Sequence, residues 1–263
     1  MKKLTVNDVQ LACIDEGTGP PVILVHGFPL DHTMWDAQVE ALRTEHRVIV
    51  PDLRGFGQSD VSQGTVTMEQ MADDLAGLLD VLKIREPVVF VGLSMGGYVA
   101  FQFFRRHRDR LRGLVLCDTR AGADTPQAAE VRRETADRVL REGPGGLVDG
   151  MPPKLLAPTT LEKQREILGS LQRMIRATDP RGIAAASLGM AERPDVTGML
   201  PEIDCPTLVI VGAEDALSPP EEMAAVAEAI PEARLVEIPA AGHMSPMENP
   251  AAVSAVLKEF LAK

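Results

Sequence analysis

The sequence predicts an α/β fold, a mostly parallel sheet with crossover helices and a late helical insertion. Three observations lead there. Short apolar, β-branched runs alternate with segments of helical periodicity over the first 119 residues and again after residue 200, the pattern of strands buried on both faces and joined by helices. At one strand-to-helix junction stands Gly92-Leu93-Ser94-Met95-Gly96, where the glycines lack the Cβ that would clash if strand and helix pass closely. Between residues 120 and about 200 the alternation stops and no buried strand is recognisable.

Leu4 to Ile14 alternates in places and turns near Asn7-Asp8, which predicts two short strands at an antiparallel edge. Val22-Ile23-Leu24-Val25 follows as a buried strand, Met34 to Leu42 as a short amphipathic helix and Arg47-Val48-Ile49-Val50 as the next strand. Met68, Met71, Leu75, Leu78, Leu79 and Leu82 recur at helical spacing. Val88-Val89-Phe90-Val91 leads into Ser94, a helix runs to about His107, and Leu114-Val115-Leu116 is a strand. In the insertion Val131 to Leu140, Leu161 to Ile175 and Ile183 to Met190 read as helices, separated by Gly143-Pro144-Gly145-Gly146, Pro152-Pro153 and Asp179-Pro180. Its charges, Arg132, Arg133, Glu162 and Lys163 among them, read as a solvated face. The rhythm resumes with a strand over Thr207 to Val211, a helix from about Glu221 to Ile230, a strand over Arg234 to Ile238 and a last helix from Ala251 to Leu261. The expected division is a core of 1–119 and 201–263 interrupted by 120–200.

Composition narrows the function. Against 27 Lys and Arg stand 38 Asp and Glu, a net charge of −11, so there is no basic footprint for nucleic acid or an anionic membrane surface. Small molecules are the expected partners, and self-association is left open. Cys13, Cys117 and Cys205 are odd in number and contain no C-x-x-C pair, which argues against a disulfide scaffold or zinc site and for a reducing compartment, the cytoplasm by default. Lys2 and Lys3 resemble the start of a signal peptide, but Asn7, Asp8 and Asp15 interrupt what would be its apolar segment, and no run approaches the length of a membrane span. Asp52-Leu53-Arg54-Gly55-Phe56-Gly57 lacks the third glycine and the helix start of a dinucleotide site. With no Walker-type loop and no metal-ligand cluster either, neither cofactor nor metal is expected.

The chemistry gathers around Ser94. A serine hydroxyl is a weak nucleophile at neutral pH and needs a base within hydrogen-bond reach, with a third group to orient the base. His243, in a loop between the last strand and the last helix, is the expected base, on the strand-end edge where ligands bind in open α/β sheets. Asp215, after the second-last strand, is the expected acid, which gives the chain order Ser, Asp, His. Asp118 competes, because it too ends a strand on that edge. The oxyanion donors are expected to be the Met95 N–H at the helix start and the Phe28 N–H in His26-Gly27-Phe28-Pro29, where Pro29 has none to offer. His26 is expected to shape that loop.

On these motifs, with Gln58-Ser59 after the Asp52 loop and Glu248-Asn249-Pro250 after His243, the chain resembles the α/β-hydrolase superfamily over essentially its whole length. The resemblance implies an eight-stranded, mostly parallel sheet, a helical cap at 120–200, and the roles given above for Ser94, His243, Asp215, Phe28 and Met95. Within the superfamily it is most similar to serine carboxylesterases and the 3-oxoadipate enol-lactonase group, through His26 to Trp35 and Leu93 to Gly97. Such enol-lactonases act on an acidic lactone and need cationic groups in the pocket. Epoxide hydrolases and haloalkane dehalogenases carry an aspartate where this chain has Ser94, and Tyr98 is the one tyrosine, so those activities are disfavoured.

The expected function is hydrolysis of small to medium carboxylic esters or lactones through an acyl-enzyme. Cofactor-free perhydrolase or haloperoxidase chemistry, carbon–carbon bond hydrolysis, hydroxynitrile lysis and a slow-turnover ligand receptor remain alternatives. Leu155, Leu156, Leu171, Met174, Ile175 and Met190 are expected to pack on the core rather than line an acyl pocket. Trp35 is the expected substrate-binding aromatic, with Phe28 and Phe56 its neighbours in that role.

Overall fold

In the computed structural model, which describes residues 1–262, a hairpin opens the sheet: β1 (Lys2–Val6) pairs antiparallel with β2 (Val9–Glu16). Then come β3 (Pro21–Val25), α1 (Asp36–Leu42) after a 3-10 turn at His32–Trp35, β4 (Arg47–Pro51) and α2 (Met68–Val81). β5 (Val88–Leu93), α3 (Met95–Arg106) and β6 (Leu111–Cys117) complete the first half. Six α-helices and a 3-10 helix at Thr197–Glu202 separate β6 from the next strand, the α-helices being α4 (Pro126–Glu142), α5 (Gly145–Gly150), α6 (Pro152–Leu155), α7 (Pro158–Lys163), α8 (Arg165–Ala177) and α9 (Pro180–Ala191). β7 (Thr207–Gly212), α10 (Pro220–Ala229), β8 (Arg234–Ile238), α11 (Ser245–Glu248) and α12 (Pro250–Leu261) close the chain. The strands form one eight-stranded sheet in the order β1-β2-β4-β3-β5-β6-β7-β8. β2 meets β4 antiparallel, and every pairing from β4 to β8 is parallel.

The period of two along each strand splits the core into two layers. Ile23, Val25, Phe90, Leu114 and Val209 pack with residues of α2, α3 and α10 on one face. Val22, Leu24, Val89, Val91, Val115 and Leu208 pack with α1 and α12 on the other. The β3 run is therefore apolar throughout because it is buried on both sides.

The inserted helices differ from the expectation in detail. Leu161 to Ile175 is two helices, broken at Gln164, whose backbone (φ −115°, ψ 63°) leaves the helical region. α5 and α6 lie within the Gly- and Pro-rich stretches that read as breaks, since proline is accepted in the first turn of a helix. α9 is seated on the core by direct backbone contact. A Cβ built on Gly182 would stand 1.8 Å from the Gly55 carbonyl oxygen, and one on Gly189 would stand 1.8 Å from that of Val66. The Val66 N–H donates to the Ala185 carbonyl at 3.1 Å, which ties the same seam. No helix among the described residues is long and apolar enough to cross a membrane.

Candidate active site

Ser94 sits between β5 and α3 with φ 53° and ψ −112°, a left-handed backbone that a side chain rarely adopts. The turn is this tight because a Cβ on Gly92 would lie 2.3 Å from the Gly96 carbonyl oxygen. The Ser94 N–H donates to the Cys117 carbonyl at 2.9 Å, and the Thr119 hydroxyl donates to the Ser94 carbonyl at 2.7 Å, so β6 braces the strained residue. The side chain is left at the carboxyl edge of the sheet.

His243 reaches that position from the loop after β8. Its Nε2 is 2.8 Å from Ser94 Oγ and its Nδ1 is 2.8 Å from Asp215 Oδ2. A carboxylate only accepts, so Nδ1 carries the proton and Nε2 is free to accept from the serine hydroxyl. Asp215 is itself held, because its Oδ1 accepts the Leu217 N–H at 2.8 Å and the Ser218 N–H at 3.0 Å. Asp118 does not join them. Its Oδ1 accepts the Gly212 N–H at 2.7 Å and its Oδ2 the Ser245 hydroxyl at 2.5 Å. Burial, reinforced by the neighbouring Asp215 charge, pushes the Asp118 carboxyl well above the usual range.

The loop after β3 lies on the opposite side of Ser94. Buried His26 links Nδ1 to the Gly27 carbonyl at 2.9 Å, while its Nε2 accepts the Leu53 N–H at 3.0 Å. Burial favours the neutral ring these bonds require. The next peptide bond but one, Phe28–Pro29, is cis. Among the described residues, neither the Phe28 N–H nor the Met95 N–H has an acceptor in the protein.

Ser94 and His243 open into a cavity of about 140 Å³, walled by Phe28, Tyr98, Arg120, Asp124, Arg132, Met151, Leu155, Met190, Leu217 and Ser218. A second cavity of about 440 Å³ shares Phe28, Arg132, Met151, Leu155 and Leu217 with it and continues outward past Val131, Arg138, Leu147 and Lys154. Arg132 is paired with Asp124, which Arg193 also meets at 2.7 Å. Burial opposes the ionised Asp124, yet the two guanidiniums hold its carboxyl below the ordinary value. The Arg193 guanidinium in turn lies 4.2 Å from the centre of the Tyr98 ring. Arg120 donates to the Leu217 carbonyl and meets Glu222 at 3.1 Å.

The structure brings together Ser94, His243, Asp215, Phe28 and Met95 but not Trp35. That ring is wholly buried among Val39, Leu42 and their neighbours under the α1 face of the sheet and lines neither cavity. The reason is local: the 3-10 turn at His32–Trp35 leads straight into α1 and directs the apolar ring inward. Arg132 corrects a second expectation, since it faces the cavity instead of solvent. Leu155 and Met190 line the cavity as well, while Leu171 and Ile175 are wholly buried in the core. Arg120 and Asp124 belong to no motif in the sequence, although both closely follow the end of β6, at the strand edge where sites in such sheets gather.

A family model described as the alpha/beta hydrolase fold matches residues 20–250. In overall structure the chain is similar to a thermophilic esterase from Thermogutta terrifontis, with a TM-score of 0.97 and 55% identity over 99% of this chain and 97% of that one. It is also similar to the enol-lactonase from Burkholderia xenovorans LB400, with a TM-score of 0.93 and 32% identity over 100% of both chains. In sequence it is 29% identical to 3-oxoadipate enol-lactonase 2 of Acinetobacter baylyi over 98% of this chain and 96% of that protein. With the strand order, the strained serine and the triad geometry already described, these matches make the chain a member of the alpha/beta hydrolase family.

Proposed function

We propose that this protein is a serine hydrolase that cleaves small to medium carboxylic esters or lactones through an acyl-enzyme. The observation that carries the reading is the unbroken line Asp215, His243, Ser94, with 2.8 Å at each step, ending in a cavity under the inserted helices. His243 Nε2 takes the Ser94 proton as Oγ attacks the carbonyl carbon. The Phe28 and Met95 N–H groups receive the oxyanion without reorganising, and the positive end of α3 adds to them. The carbon–oxygen bond to the leaving group then breaks, and His243 returns its proton to the departing alkoxide. Water repeats the sequence on the Ser94 ester, with His243 again as base, and frees the acid. Residues 120–200 serve as the cap that walls the acyl site from solvent over the core of 1–119 and 201–263.

Arg120 and Arg132 at the cavity wall favour substrates that carry a carboxylate beside the scissile ester or lactone. The relative named as a 3-oxoadipate enol-lactonase supports that reading by name. The test is steady-state release of p-nitrophenol from short-chain p-nitrophenyl esters by the protein and by Ser94→Ala. Multiple turnovers abolished in the variant are the expected result. A single stoichiometric burst would instead support a ligand receptor, and silence in both proteins would move the assignment to peroxide-dependent or carbon–carbon cleaving chemistry.

A further inference from the structure

Glu248 takes no part in the steps above, yet its carboxylate is buried where the inserted helices meet the loop that carries His243. Oε1 accepts the N–H groups of Gly242 at 2.9 Å and Met244 at 3.1 Å, the residues on either side of His243. Oε2 accepts the Ala157 N–H at 2.8 Å, two residues beyond Leu155, which walls both cavities. The two backbones are in direct contact there: a Cβ on Gly242 would stand 2.7 Å from Ala157 N and 3.1 Å from the Leu155 carbonyl oxygen. A single carboxylate thus bonds the base's loop and the pocket wall at once.

We propose that Glu248 is a positioning residue that locks His243 and the Leu155 wall into one register, so that the alignment of the base depends on the seating of the inserted helices. The proposal rests on His243 as the base. Two carboxylate oxygens serve three N–H donors and the Thr160 side chain, whereas a glutamine has one acceptor oxygen and its NH₂ would confront an N–H donor on one side. Glu248→Gln therefore keeps the shape and gives up one half of the joint. Ala157→Pro takes away the N–H on the other side: the backbone (φ −59°, ψ 148°) suits proline, and the ring Cδ, standing where the N–H pointed, pushes Oε2 off the inserted helices.

The experiment is the rate constant for phosphonylation of Ser94 by a fluorophosphonate probe, which needs the aligned base but no knowledge of the natural substrate. It is measured on the full chain, on Glu248→Gln, on Ala157→Pro and on His243→Ala, with thermal melting as the check on folding. The expected result is that both tie variants react about 10- to 100-fold more slowly than the parent, a loss of roughly 1.4–2.8 kcal/mol in barrier terms, yet still reach one label per chain. A folded tie variant that reacts at the parental rate overturns the proposal, even if its melting temperature falls. If Glu248→Gln melts below the assay temperature, Ala157→Pro decides. If His243→Ala reacts as fast as the parent, it is the assignment of the base that fails.

Discussion

Asp118 and Asp215 end neighbouring strands on the same edge of the sheet, and only Asp215 touches His243. Both Asp118 oxygens are occupied, one by the Gly212 N–H and one by the Ser245 hydroxyl. An asparagine at 118 satisfies both, with its carbonyl toward Gly212 and its amide toward the Ser245 oxygen. Asp118→Asn is expected to keep kcat within about threefold, whereas Asp215→Asn, which lets the wrong His243 tautomer form, should lower it by about 10³–10⁴. Steady-state ester hydrolysis decides, and the reverse order would exchange the two assignments.

Asp118 also gives a pH dependence with a definite sign. Its carboxyl is raised in the folded protein, so the fold favours the protonated form. That contribution is complete below about pH 4 and is lost as pH rises through the raised folded value. The melting temperature of Asp118→Asn should therefore gain on the parent's as pH goes from 4 to 8. A difference that stays flat over that range would show Asp118 ionising as an ordinary carboxyl.

Arg132 reaches the cavity while Asp124 keeps a second partner in Arg193, so its removal leaves the acid paired. Arg132→Ala should raise KM for a p-nitrophenyl monoester of a dicarboxylic acid roughly 10- to 100-fold, the range of a charge-assisted hydrogen bond. KM for the neutral butyrate ester should move less than twofold. Equal shifts for the two substrates would mean that Arg132 shapes the wall without reading charge.

Trp35 is the one tryptophan in the chain, and it is wholly buried away from both cavities. Its emission should be blue-shifted in the folded protein, unchanged on saturation with a non-hydrolysable substrate analogue, and red-shifted on denaturation. A titratable change on ligand addition would return Trp35 to the site.

Gly182→Ala should destabilise the protein at or above the upper end of the roughly 1–3 kcal/mol typical of overpacking, because its Cβ would meet the Gly55 backbone at 1.8–2.9 Å. Chemical denaturation compared with Gly198→Ala, whose Cβ meets nothing within 4 Å, isolates the contact.

The candidate site was legible because its parts are local: a serine between glycines at a strand-to-helix junction, and single residues just past strand ends. The parallel strands were legible because burial on both faces makes them unbroken apolar runs. What the sequence withheld was direction. Arg132 on a charged helix face reads as solvated until another element stands opposite it, and here Leu155 and Met151 do. Trp35 reads as a substrate contact because the insertion holds no aromatic residue and the core must supply one, but the turn at His32–Trp35 sends it to the far layer. α5 and α6 were hidden because the residues that punctuate one helix also open the next.

The seam under α9 divides the insertion into a part that must be inherited whole and a part that can be rewritten. Where Gly182 and Gly189 meet Gly55 and Val66, backbone rests on backbone and no side chain can be exchanged to tune the fit. α4 to α6 instead frame the outer cavity with side chains, from Val131 to Lys154. A library aimed at new ester specificities belongs there, with α9 left as the fixed anchor from which every variant hangs.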